Sequence, residues 1–236
     1  MARKKTAGGY MSAGEQMGGT VFFLVYLLVL PMAADPAFRL AERLLNTTLS
    51  QGLRNTVYYY LLFAVTLVIF HSFLARTTRN LAENPGQACR SLVVGLVALY
   101  GLNELAYRLT RTLVDNRTNL NDMTISAQIQ DAPRTTLLIV VLLAPFVEEV
   151  LFRGLVFGCL KGRSRLLAYG ASCLLFAFLH VWQFALVNRD ITYFVLMVQY
   201  LIPGLVLAWA YESSGTLWSA IGLHAAANAL SVWTIL

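Results

Sequence analysis

Two adjacent carboxylates and an arginine, Glu148, Glu149 and Arg153, stand in the stretch EEVLFRG between the apolar runs LLIVVLLAPFV and LVFGCL. In a helix, residues four apart share a face and adjacent residues diverge by about 100°. Glu149 and Arg153 can therefore pair, while Glu148 points elsewhere. A carboxylate placed among hydrocarbon must pair, protonate or face a wet cavity. Arg153 answers that need for Glu149 and leaves Glu148 requiring another partner. Two later apolar runs offer partners: SCLLFAFLHVWQFAL carries Phe176 and His180 at i and i+4, and SAIGLHAAANALSVW carries His224 and Asn228 at the same spacing. The chain has three histidines, and two of them belong to this set.

Such a set can hydrolyse an amide. A glutamate beside a histidine can hold a water and take its proton. A second histidine and an asparagine amide can donate hydrogen bonds to the oxygen that becomes anionic when a carbonyl is attacked. The same residues admit a zinc reading in which Glu148, His180 and His224 bind the metal and water fills the open position. The H-E-x-x-H arrangement is absent, and asparagine is an uncommon zinc ligand, so chemistry without a cofactor is the reading preferred here. A third reading is a buried polar network that fixes helix register and performs no reaction. Full charges are costlier than the serine, threonine or single amide that usually serves this purpose in membranes.

The elements that must position these residues follow from composition. Of 236 residues, 58% are hydrophobic and 13% charged, against about 45–50% and about 25% in an ordinary soluble domain. The expected fold is all-α, a polytopic transmembrane helical bundle of about seven spans, at about 19–34, 54–75, 89–110, 134–159, 165–187, 191–211 and 216–236. The first and last are the shortest. Residues 1–133 hold the N-terminal spans and a polar connection, and 134–236 hold the core helices that carry the candidate chemistry, both within one membrane domain. The part DMTISAQIQ of that connection can form a short interfacial helix. The net charge of +6 does not point to nucleic acid, because basic residues flank apolar runs rather than forming one stripe. Arg3, Lys4 and Lys5, with the connections around Arg76–Arg90 and Lys161–Arg165, favour a cytoplasmic N-terminus. The first apolar run resembles a signal peptide, but Pro36 and a second span follow at once, and it is read as retained. Cys89, Cys159 and Cys173 have no metal-ligand spacing and read as packing residues. His71 reads as interfacial, Glu104 with Arg108 as an i, i+4 pair, and the tyrosines 58–60 as span-end anchors. No internal repeat or phosphate-cradling loop is present, and the charges occupy too few spans for a transport route.

EEVLFRG, FAFLH and HAAAN, in this order on separate apolar spans, resemble the three motifs of the CAAX-processing and bacteriocin-processing (Abi) family of intramembrane proteases. The resemblance covers Leu137 to the C-terminus. It implies a helical membrane endopeptidase that acts on a peptide or protein substrate, lipid-modified in some members, with no metal assigned. By that resemblance Glu148 is the water-activating glutamate, His180 its partner, and His224 with Asn228 the oxyanion-stabilising pair, while Glu149 and Arg153 orient them. Bacterial members include processing, self-immunity and regulatory proteins; the setting expected for this chain is a prokaryotic plasma membrane. The competing class is a non-enzymatic membrane protein of immunity or scaffolding that binds a partner through its spans.

Overall fold

The computed structural model describes residues 11–113 and 120–235, apart from the side chains of 106, 107, 109–113 and 235. The basic cluster Arg3, Lys4 and Lys5 and the loop residue Arg117 lie outside the described residues. Eight helices are formed among those described: α1 (Ala13–Leu45), α2 (Gln51–Glu83), α3 (Pro85–Leu113), α4 (Leu120–Asp131), α5 (Pro133–Lys161), α6 (Arg165–Asn188), α7 (Ile191–Ser214) and α8 (Leu217–Ile235). Six of them, α1, α2, α3, α5, α6 and α7, are long and apolar enough to cross a membrane. The seventh expected span is α8, whose 19 residues rise about 28 Å, close to the hydrocarbon thickness of about 30 Å. The chain is thus an all-α, multi-pass membrane bundle.

The first helix is not short. It runs 33 residues through a π-helical turn at Val25–Val29 and through Pro36, ending where Asn46 turns left-handed. The tail of α1 carries Glu42 and Asp35, both bonded to Arg54 on α2, so this amphipathic part is held as helix well past the apolar run.

Helix starts are set by local chemistry. Ser12 caps α1 in a capping box with Glu15, and Ser50 and Ser164 cap α2 and α6, each satisfying an N–H that a helix end leaves without a partner. Glu15 also reaches across the bundle. It accepts the backbone N–H of Phe73 and pairs with Arg76 at 2.8 Å. That N–H is free because α2 breaks at Phe70, where φ is −106° and ψ 17°. The first turn of α8 starts inside the protein, and its donors are met from α2: Thr77 Oγ1 accepts from Leu217 N at 2.6 Å, and Thr216 Oγ1 donates to Thr77 O at 2.8 Å. Gly215 makes the preceding turn at φ +71°, a conformation side chains disfavour.

The larger of two buried apolar clusters has α5 as its central element, with Val150, Leu151, Phe152 and Phe157 fully buried. The window of α5 is 67% buried, against 22–39% for the other candidate spans. A helix surrounded by protein on all sides is the place where ionisable groups can be sheltered from lipid. The expected interfacial helix exists as α4, but it is packed in rather than lying apart. Its Ile125 and Ile129 cluster with Val140 of α5 and Val232 of α8. Of the cysteines, Cys173 is buried as expected, whereas Cys89 and Cys159 are exposed.

Candidate active site

The helix that carries EEVLFRG departs from α geometry on both sides of the glutamates. Ahead of them α5 widens into a π turn at Ile139–Leu143, in which Ala144 donates its N–H to Ile139 O. Val140 O thereby loses its α-helical donor. Its π-helical donor would be residue 145, a proline with no N–H. Asn228 of α8 fills the gap, donating Nδ2–H to Val140 O at 2.8 Å. A second π stretch, Val150–Phe157, follows Glu149 and holds Arg153 and Gly154. Gly154 has no room for a side chain, since a Cβ there would stand 2.8 Å from the Phe73 ring and 3.0 Å from Met11.

Glu149 and Arg153 are fully buried. Arg153 donates Nη1–H to Glu149 Oε1 at 2.8 Å and Nη2–H to Gly204 O at 3.1 Å, and its guanidinium lies 4.4 Å over the Phe176 ring. That carbonyl is within reach because α6 and α7 pack closely at Gly204, where a Cβ would stand 3.3 Å from the Cys173 backbone. Glu149 is not closed off by this pair. The same Oε1 accepts from His224 Nδ1 at 2.8 Å, so a single carboxylate oxygen joins α5 and α8 and sets the orientation of the imidazole.

Glu148 points away from that hub. Its Oε2 lies 3.9 Å from His180 Nε2, too long for a direct hydrogen bond. This oxygen is buried and has no hydrogen-bond partner from the protein. His180 Nδ1 is 2.8 Å from Phe176 O, an acceptor only, which places a proton on Nδ1 and turns Nε2 toward Glu148. Two atoms 3.9 Å apart can both reach one water at about 2.8 Å when it lies off the line joining them. The carboxylate of Glu148 is also within electrostatic range of Tyr26, Tyr58 and Tyr59 from α1 and α2. Tyr58 and Tyr59 therefore belong to its surroundings and are packed against the core, rather than being simple anchors at a span end.

Phe176 is the other organising side chain. Its ring packs on His180 with centroids 4.6 Å apart and edge-on to His224 at 5.8 Å, besides carrying Arg153. His180, His224 and Asn228 line a cavity of about 990 Å³ walled by α3, α4, α6, α7 and α8, with Gln199, Tyr200 and Ser126 among its polar groups. Glu148 is not part of that lining and stands behind His180. The candidate residues thus form two linked groups, Glu148 with His180, and Glu149 with Arg153 and His224. No direct hydrogen bond joins Glu148 to His224 or Asn228 among the described residues.

The zinc arrangement of Glu148, His180 and His224 is not assembled. Among the described residues no three His, Cys, Asp or Glu side chains are grouped to hold a metal. Phe176 packs against both imidazoles, and Glu149 engages His224 Nδ1. His71 is exposed and bonds Val68 O within its own helix, and Glu104 pairs with Arg108 at 2.7 Å on an exposed face. Sequence reasoning missed Tyr200, which stacks on His180 with centroids 4.6 Å apart, and Glu15. Tyr200 has no spacing signal, because it meets His180 across helices; the Ser12-x-x-Glu15 spacing announces the cap of α1 but not the contacts of Glu15 with Phe73 and Arg76.

Residues 131–230 match the family model described as Type II CAAX prenyl endopeptidase Rce1-like. The match spans α5 to α8, including all three motifs, while α1 to α3 lie outside it. No curated protein and no solved structure matches the chain.

Proposed function

Over residues 131–230 the chain belongs to the Rce1-like CAAX protease family, and on that premise we propose that it is an intramembrane endopeptidase that hydrolyses a peptide bond of a peptide or lipid-modified protein. Glu148 takes a proton from a water that His180 Nε2 also holds, and the hydroxide attacks the substrate carbonyl carbon. With its Nδ1–H held by Glu149, His224 acts here as the imidazolium and donates Nε2–H, and Asn228 donates its second amide N–H, to the carbonyl oxygen as it becomes anionic. Glu149 holds the His224 ring through Nδ1, and Arg153 holds Glu149. Glu148 then passes its proton to the leaving amine as the C–N bond breaks. The reaction needs no metal in this reading, and the chain works in a prokaryotic plasma membrane with its N-terminus in the cytoplasm.

The observation that carries the reading is the unpartnered Glu148 Oε2, 3.9 Å from His180 Nε2, beside a cavity lined by His180, His224 and Asn228. A buried carboxylate oxygen with no protein donor is costly to keep unless a bound molecule supplies one. The test uses purified chain in lipid vesicles with prenylated CAAX peptides and unmodified membrane-proximal peptides, read by mass spectrometry. Cleavage by the wild type should fall at least about 100-fold in Glu148→Gln and be lost in His180→Ala. Undiminished cleavage by folded Glu148→Gln would rule the mechanism out.

A further inference from the structure

The cavity is covered on one side by α4, and the first two residues that hold this helix down both lead to the candidate catalytic groups. Asn121 donates its backbone N–H to Tyr200 Oη at 3.3 Å. This N–H lies in the first turn of α4, where a helix cannot satisfy its own donors. The next residue, Asp122, accepts from Ser231 Oγ at 2.8 Å, and Ser231 lies one turn beyond Asn228 on α8.

Tyr200 has two ends with different tasks. Its hydroxyl holds α4, and its ring stacks on His180 with centroids 4.6 Å apart and planes 24° from parallel. On another side of the imidazole stands Phe176, also at 4.6 Å but inclined 50°. The ring of His180 is fixed by one hydrogen bond, Nδ1 to Phe176 O. A single bond leaves the ring free to swing about it, and the aromatic contacts remove that freedom. The direction of Nε2 toward Glu148 depends on them.

We propose that Tyr200 is a positioning residue for His180, and that it ties the orientation of the imidazole to the seat of α4 over the cavity. The proposal rests on the peptidase reading for its kinetic consequences but not for its geometry. A peptide entering beneath α4 meets a wall whose tie point is the far end of the side chain that aims Nε2. Removing the aromatic ring frees the imidazole and lowers turnover. Removing only the hydroxyl loosens α4 and weakens substrate binding while the stack stays in place.

Two variants separate these effects. Tyr200→Leu should lower kcat about 10- to 100-fold with KM changed little, the range expected when a reacting group is misplaced by about 1 Å. Tyr200→Phe should restore kcat to within about 2-fold and raise KM about 3- to 10-fold, the loss of about one hydrogen bond. A structural defect would lower the yield of folded protein in both and would give no such division. A second readout needs no substrate. The chain has three histidines, His71, His180 and His224, so histidine-selective isotope labelling gives a spectrum of three rings, assigned by substituting each in turn. The part of the ring-current displacement of the His180 protons that comes from Tyr200 should be lost in Tyr200→Leu, leaving that of Phe176, and the whole should persist in Tyr200→Phe. Unmoved His180 resonances in Tyr200→Leu, or equal kcat in the two variants and the wild type, would overturn the proposal. If the wild type cleaves no peptide while the His180 resonances respond as described, the positioning contact stands and the peptidase reading fails alone.

Discussion

Neighbouring glutamates in one motif should respond to the same substitution in opposite ways. In Glu149→Gln the shape is kept and the charge removed from an oxygen that accepts from both Arg153 Nη1 and His224 Nδ1 at 2.8 Å. Arg153 is fully buried, and its other polar acceptor is one backbone carbonyl at 3.1 Å. Breaking a buried ion pair from one side costs about 3–5 kcal/mol, because the remaining charge stays desolvated. The surviving amide oxygen keeps part of the hydrogen bonding, which sets the expectation at the lower end, about 3 kcal/mol. At about 2–4 °C per kcal/mol for a chain of this size, the midpoint should fall about 6–12 °C. Both glutamates have a buried Oε2 without a protein partner, but Glu148 has no arginine pair among the described residues to lose, and Glu148→Gln should leave the midpoint unchanged or raise it. Both variants should lose cleavage. The assay is thermal unfolding of the purified chain in one detergent, with cleavage measured in parallel. Equal midpoints for the two variants, or a lower one for Glu148→Gln, would refute the division of labour between the two carboxylates.

Gly154→Ala should destabilise by about 1–3 kcal/mol, since its methyl would meet the Phe73 ring at 2.8 Å; an unchanged midpoint would show that α2 yields freely at that contact. Thr77→Val removes the acceptor of Leu217 N–H and should cost about 1–2 kcal/mol, seen as a lower unfolding midpoint. Activity should survive exhaustive chelation and dialysis, with no stoichiometric metal found by elemental analysis; one ion per chain required for turnover would contradict the site described.

Hydropathy made the bundle legible, and i, i+4 spacing brought Glu149 to Arg153 and Phe176 to His180. Both signals are local. That Glu149 also binds His224 depends on the rotation and height of α8 against α5, fixed in part by Thr77 on a third helix. The length of α1 was hidden because its tail is held by Arg54 rather than by apolar character. The break at Phe70 involves neither proline nor glycine, so nothing in the run of α2 announces it. Glu15, which takes up the freed N–H of Phe73, lies 58 residues before that residue. Tyr58 and Tyr59 read as span-end anchors, and the three-dimensional arrangement brings both, with Tyr26, within electrostatic range of Glu148.

The carbonyl of Val140, left without a backbone donor by Pro145 and met by Asn228 88 residues later in the chain, bears on biogenesis. Helix α5 leaves the ribosome well before α8, and in hydrocarbon an unmet carbonyl costs several kcal/mol. Until α8 arrives, the partly built protein carries a defect in α5 where Val140 is to pack with Ile125, Ile129 and Val232, one turn from Pro145 and two from Glu148. Docking of α8 cures that defect and delivers His224 to Glu149 in the same movement. Completion of the backbone and assembly of the site are then a single event, and a nascent chain that stalls before α8 has neither.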